Sequence, residues 1–353
     1  MQFTSLKWMC VVLTSSLVGC SQITPLPEHQ VALSQTYPLQ TQGNYQVLSW
    51  DNYVNDQQLI NLVDLALVSN QDLKIASLRI HEAQAAYGIQ RAELFPNIGG
   101  NAGMERNHVP ADLSYVGREM TTSQYSVGLG MNQWELDLWG RIRSLNEAAL
   151  QQFFAVESNV QAVRNSLIQQ TVLSYLTLSE LDKRIYFAQR SVQNYEKSVR
   201  LFKRRYEVGA SSKVEYMQAK TMLSNGQALV TQLEKSRALT ANYLVQLVGQ
   251  PTSLHQTDLD QVTFKTGVLH TGLPSDLLLN RADIRASEAM LKSKHANINA
   301  ARAAFFPRIT LTGSLGTASA DLDGLFKSGS SVWSFAPSIS APFFLAGPLK
   351  KIL

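Results

Sequence analysis

From Arg141 to Val208 the chain contains neither proline nor glycine, and this stretch restricts the fold more than any other feature. With no breaker inside it a helix can run unbroken, and one reaching Gly209 would be about 100 Å long. Its apolar residues recur helically: Val156, Val160, Val163 and Leu167, then Leu178, Leu181, Ile185, Ala188, Val192, Tyr195, Val199, Phe202 and Tyr206. Steps of three and four make a coiled-coil seam with one stutter, where polar Gln170 and Ser174 intervene. No ordinary globular core needs such a rod; a tube crossing the periplasm does. Charged residues make up only 16% of the chain, low for a soluble coiled coil, which points to a partly membrane-embedded or polar-neutral surface. The helix breaks at Val208-Gly209-Ala210-Ser211-Ser212, where Gly209 suits a C-cap and Ser211 or Ser212 an N-cap. A returning helix to about Gly249 carries Tyr216, Ala219, Leu223, Gly226, Val230 and Leu233 on its seam, and Pro251 ends it.

On the N-terminal side of this rod the period changes. Helical spacing holds from Asp56, with Leu59, Ile60, Val63, Leu67 and Val68 on one face, and again from Asp72 to Leu94, where Pro96 stops it. Residues 97–109 and 124–138 are instead glycine-rich and alternate. Tyr125, Val127, Leu129 and Met131 point one way, and Ser126, Gly128, Gly130 and Asn132 the other. Apolar residues alternating with small polar ones over about 9–11 positions is the pattern of a transmembrane β-strand, although a solvated antiparallel sheet alternates similarly.

The same succession occurs twice. Arg91-Ala92-Glu93-Leu94-Phe95-Pro96-Asn97-Ile98 aligns with Arg302-Ala303-Ala304-Phe305-Phe306-Pro307-Arg308-Ile309. In the second copy Ile309, Leu311, Gly313 and Leu315 oppose Thr310, Thr312, Ser314 and Gly316. A later strand sets Trp333, Phe335, Ile339, Ala341 and Phe343 against Ser334, Ala336, Ser338 and Ser340. The repeat unit is helix, β-hairpin, long helical hairpin. The first repeat occupies 56–249, with its hairpin at 97–138 and its helical hairpin at 141–249. The second, 250–353, has a helix over 275–305 and a hairpin over 309–345, and it is incomplete. After Trp139-Gly140 the chain completes a helical hairpin, whereas after Ala346-Gly347 it reaches Leu353 almost at once. The symmetry therefore predicts a missing second helical hairpin, and a 353-residue chain that does not form an open channel alone.

The N-terminus carries a secretory signal over 1–19: Lys7, a short apolar run from Trp8 to Leu13, then small residues. Leu17-Val18-Gly19-Cys20 resembles the lipobox of bacterial lipoproteins, which implies cleavage before Cys20 and acylation of that cysteine. Ser21, rather than Asp, favours the outer membrane. Cys10 departs with the signal and Cys20 takes lipid, so no pair remains for a disulfide. Residues 20–55, rich in Pro, Gln, Asn and Thr, form a lipidated extended tether.

Other function classes find little footing. Net charge is +4, with no basic stripe, which argues against nucleic acid. His29, His81, His108, His255, His270 and His295 lack metal-ligand spacing, and there is no nucleophile elbow or phosphate loop, so neither catalysis nor a cofactor is expected. Glu135 and Asp137, at a strand end, suit a tether to the rim or a solvated turn better than acid–base work.

Seven stretches then resemble the outer membrane factors, the TolC-like channels of tripartite efflux pumps, in their OprM-like lipoprotein branch. They are Ala66-Leu67-Val68-Ser69-Asn70-Gln71-Asp72-Leu73, Ala92-Glu93-Leu94-Phe95-Pro96, Trp134-Glu135-Leu136-Asp137-Leu138-Trp139-Gly140-Arg141 and Arg205-Tyr206-Glu207-Val208-Gly209. Further on come Leu273-Pro274-Ser275-Asp276-Leu277-Leu278, Arg281-Ala282-Asp283-Ile284-Arg285-Ala286 and Ala303-Ala304-Phe305-Phe306-Pro307-Arg308-Ile309. They run in family order from about residue 58 to the end; Ala282 departs from the family's usual Pro.

The resemblance implies a mixed membrane α+β fold, a long α-helical coiled-coil barrel continuous with a transmembrane antiparallel β-barrel. It implies a homotrimer in which each subunit gives four strands, working with a periplasmic adaptor and an inner-membrane RND pump to expel drugs or small molecules passively. Val208, Gly209, Ala210 and Ser211 would form the adaptor-contact tip. Tyr125, Val127, Leu129, Met131, Phe335 and Ile339 would face lipid. The family's acidic constriction would lie in the missing hairpin. Two other readings stay open: a lipidated periplasmic adaptor, and a TolC-like subunit for protein secretion.

Overall fold

The computed structural model describes residues 23–26, 50–254 and 275–342. The chain divides into two compact units. One comprises Met1–Gln30, His81–Val156 and Ala286–Leu353, the other Val31–Ile80 and Glu157–Arg285. In chain order the elements are α1 (Gln57–Ser69), α2 (Gln71–Ala92), β1 (Ile98–Val109), β2 (Met120–Leu136), α3 (Arg141–Glu207) and α4 (Lys213–Val248). Then come α5 (Ala282–Ala303), β3 (Arg308–Ser319) and β4 (Ser331–Ser340).

The first unit is built on a four-stranded antiparallel sheet in the order β1-β2-β3-β4. Its central pairing, β2 with β3, joins the two copies of the repeat, from Tyr125↔Ser319 to Leu136↔Ile309. At the middle of this joint Gly128 stands opposite Gly316. A Cβ on Gly128 would lie 2.7 Å from the Leu315 carbonyl oxygen, so the close approach here admits no side chain. Between Met131 and Trp134 the register slips by a bulge, with Gln133 at φ 46° and its N–H donating to Thr312 Oγ1 at 3.3 Å. The bulge turns Trp134 onto the face of Met131, although simple alternation would place it opposite.

The second unit is helical. Asp56 caps α1, accepting from the Gln58 and Leu59 amides at 2.8 and 3.2 Å, and its other oxygen accepts from the Tyr175 hydroxyl at 2.6 Å. Leu59, Val63, Tyr175, Leu178, Leu244 and Val248 form the core between α1, α3 and α4. Buried Asn70 ends α1 and begins α2: its amide donates to the Leu247 carbonyl at 2.8 Å, and its oxygen accepts from the Leu73 N–H at 2.8 Å. Gly249 closes α4 at φ 80°, where a Cβ would strike the Ser69 carbonyl. Farther along α3 and α4, Leu181, Ile185 and Leu233 pack together beside an ion pair between Asp182 and Arg237. Gly226 lets Tyr195 lie against α4.

The uninterrupted α3 has 67 residues. The helix predicted over 275–305 is instead two pieces. A 3₁₀ segment, Ser275–Asn280, closes with the Arg281 N–H on the Leu278 carbonyl, and α5 starts where Arg281 accepts from the Arg285 N–H. The tighter i→i+3 bond ends the first piece before α-helical spacing can set in.

Candidate functional site: the sheet face, its rim and the helical tip

Register decides which side chains share a face of the sheet. Leu129 stands beside Leu315, which stands beside Trp333; Met131 is beside Gly313 and then Phe335; Leu136 is beside Ile309 and then Ile339. Tyr125, Val127, Leu129 and Met131 of β2 thus share one face with Phe335 and Ile339 of β4. Leu129 is 57% exposed, Leu315 62%, Trp333 72%, Phe335 60% and Ile339 70%. Leaving a Leu or Phe side chain uncovered forgoes about 1.5–3 kcal/mol each, so a contiguous stripe of them marks a surface meant to be covered. The opposite face holds small polar groups, with Ser314 and Ser334 sharing a hydrogen bond at 2.7 Å. Among the described residues β1 and β4 each have only one neighbouring strand, leaving two open edges.

An ion-pair cluster secures the end of β2. Both Glu135 oxygens accept from the Arg141 guanidinium, each at 2.8 Å, and Arg308 of β3 joins one of them at 2.7–2.9 Å. One buried carboxylate therefore ties β2, β3 and the start of α3. Asp137 caps α3, accepting from the Ile142 and Arg143 amides at 3.0 and 2.8 Å. The Trp139 indole donates to the Pro307 carbonyl at 2.7 Å and stacks on Phe306 at 5.0 Å. The acidic pair is thus the rim tether that its strand-end position suggests. Its second arginine, Arg308, comes from the other repeat and has no local signal in the sequence.

The tip between α3 and α4 is exposed and tightly capped. Gly209 sits at φ 76° with open space around it, and the Ala210 N–H reaches back to the Arg205 carbonyl at 2.8 Å. Val208 is 72% exposed. Ser212 begins α4 with a capping box: its hydroxyl accepts from the Glu215 N–H at 3.2 Å while the Glu215 carboxylate accepts from the Ser212 N–H at 2.9 Å. Ser211 donates to the same carboxylate, and these bonds hold Glu215 below the usual carboxylate range. Tyr206 and Tyr216 stack across the turn at 6.1 Å. Val208, Gly209, Ala210 and Ser211 therefore form one preset, solvent-facing turn.

Among the described residues no cluster of three or more His, Cys, Asp or Glu could hold a metal, and no helix is long and apolar enough to cross a membrane. The signal over 1–19 and Cys20 lie outside the described residues, as do residues 343–345 of the second hairpin.

Residues 62–250 and 273–352 match the model of the outer membrane efflux protein family. The chain is 38% identical, over its whole length, to the solvent efflux pump outer membrane protein SrpC of Pseudomonas putida, covering 76% of that protein. It is 37% identical to the outer membrane protein OprJ of Pseudomonas aeruginosa, the match spanning 85% of this chain and 63% of OprJ. The open-state MtrE outer membrane channel of Neisseria gonorrhoeae superposes with a TM-score of 0.80 at 35% identity, over 94% of this chain and 75% of that one. That likeness bears out the TolC-like fold expected from the sequence. With its sheet, its rim and its capped helical hairpin, the chain belongs to the outer membrane efflux protein family.

Proposed function

We propose that the chain is a wall-forming subunit of an outer-membrane efflux channel. It contributes to the wall of a homotrimeric channel through which drugs or small molecules pass from an inner-membrane RND pump and a periplasmic adaptor to the exterior. The observation that carries this reading is the sheet, with its uncovered apolar face and, among the described residues, two open edges. Backbone groups at an edge cannot stay unpaired in hydrocarbon, and four strands are too few to close on themselves. Edges of neighbouring copies supply the missing bonds, and three copies close one barrel. Tyr125, Val127, Leu129, Met131, Phe335 and Ile339 then meet lipid, while the serine, threonine and glycine face lines water.

The tip residues Val208, Gly209, Ala210 and Ser211 are the adaptor contact, an exposed turn whose shape is fixed before any partner arrives. Acylated Cys20 anchors the chain. The name of SrpC, a solvent efflux protein, supports small apolar molecules as cargo.

The test is the state of the chain in isolated outer membranes. A detergent-resistant trimer that converts to monomer on heating is expected. Monomer recovered in the soluble periplasmic fraction would refute the reading. A photo-crosslinker at Ala210 should capture the adaptor, and capture from Gln232 on the same helical hairpin but not from Ala210 would refute the tip assignment.

A further inference from the structure

We infer that one face of α5 is a binding site for the chain's own N-terminal segment, and that this clasp places the lipid-bearing end of the protein at the foot of the sheet. The second half rests on the acylation of Cys20 proposed above.

Thr24 is held by three side chains of α5. Its hydroxyl donates to Asn299 Oδ1 at 2.9 Å and accepts from the Arg302 guanidinium at 2.7 Å. Its carbonyl accepts from Asn299 Nδ2 at 3.1 Å and from His295 Nε2 at 2.8 Å. Positions 295, 299 and 302 are four and three residues apart, so they form a single row on the helix. Asn299 is the centre of the grip. It is 4% exposed, and both ends of its amide are satisfied by Thr24. A buried amide without partners is disfavoured, because the water it gave up is not replaced. Asn299 is therefore placed for a strand of backbone that brings a hydroxyl beside a carbonyl, as a threonine does.

The adjoining residue fixes where the segment points. Ile23 lies over Gly140, so close that a Cβ there would be 3.0 Å from Ile23 Cδ1. Gly140 lies just past the end of β2 and sits at φ 81°, so a side chain at this position would strain the backbone and press on Ile23. Ile23 lies three positions after Cys20, a reach of about 10 Å. A free leash from residue 20 to residue 55 would have a typical span of about 30 Å. The clasp thus shortens the working tether about threefold and raises the effective concentration of the sheet's apolar face at the membrane holding the acyl chains.

The chain has two cysteines, Cys10 and Cys20; one departs with the signal and the other carries lipid, so Gln22→Cys accepts a single spin label. In liposomes of phospholipid the label at 22 should be immobilised and more accessible to oxygen than to an aqueous nickel complex. Thr24→Ser keeps the hydroxyl and should leave the spectrum unchanged. Thr24→Val removes it and should shorten the label's correlation time by about threefold or more, toward that of a free segment. Both variants alter only the segment, and the heat-convertible trimer serves as the folding control.

Equal mobility in the Ser and Val variants would overturn the clasp, as would a fully mobile label with Thr24 intact. The mass of the N-terminal peptide reports acylation independently. An unacylated terminus with an immobile label would refute the lipid-placing half alone.

Discussion

Replacing Glu135 with glutamine removes the one carboxylate that holds β2, β3 and α3 together, and the structure sets how much that should matter. Glu135 is 9% exposed, and Arg141, at 24%, gives it two bonds of 2.8 Å. Charge-assisted bonds contribute about 1.5–3 kcal/mol, and removing one member of a buried pair leaves the other uncompensated. Arg308 comes as near, at 2.7 Å, yet its side chain is 54% exposed. Proximity and exposure point in different directions here, and exposure governs, because water screens the pair to about 0–1 kcal/mol. Glutamine can still accept one bond from Arg141, so Glu135→Gln should destabilise the folded chain by about 2–3 kcal/mol, against less than about 1 kcal/mol for Arg308→Gln. Urea unfolding in detergent, read by the fluorescence of Trp134 and Trp139, gives both values. Double-mutant cycles should assign most of the coupling to the 135–141 pair. A variant at 308 as damaging as the one at 135, or no loss for Glu135→Gln, would refute the reasoning.

Local geometry sets three further outcomes. Gly316→Val places a side chain against the backbone of Val127 and should abolish the heat-convertible trimer, while Gly99→Val, which meets open space, should assemble normally in the same gel. Gly249→Ala should lower thermal stability more than Gly209→Ala: both are left-handed, which alone disfavours alanine by about 1 kcal/mol, but only Gly249 also abuts the Ser69 carbonyl. Because the pKa of Glu215 is depressed in the folded chain, its capping contribution is complete above the unfolded carboxylate value and lost as pH falls through the folded one. The protection of the Ser212 amide, the intrinsic exchange rate divided by the observed one at each pH, should fall only in that acidic window, and protection lost already near neutrality would contradict the assignment.

The elements that could be read directly were those in which local chemistry and final structure agree. A run without glycine or proline from Arg141 became one helix, and Gly209 with Ser212 formed the turn, because caps act over three or four residues. Alternation in 124–131 was legible for the same reason. Beyond Met131 it was not: the bulge at Gln133 reverses the parity and brings Trp134 to the apolar face, a matter settled by pairing with β3. Non-local partners were equally hidden. Arg308 reaches Glu135 across 173 residues and Thr24 reaches Asn299 across 275, and neither is marked by spacing. The repeat indicated that the two halves are alike. It did not reveal that β2 and β3 would be the strands to join them.

The central claim, that one face of the sheet meets lipid and the other water, is tested most directly by paired single cysteines in outer membranes. Val127, Leu129, Phe335 and Ile339 stand for the apolar face, and Ser126, Thr312 and Ser334 for the polar one. A membrane-impermeant maleimide should label the second set and spare the first, while a lipid-phase nitroxide should quench fluorophores attached only at the first. Equal aqueous labelling at Leu129 and Ser126, with no lipid quenching at either, would show a sheet solvated on both faces and contradict the account.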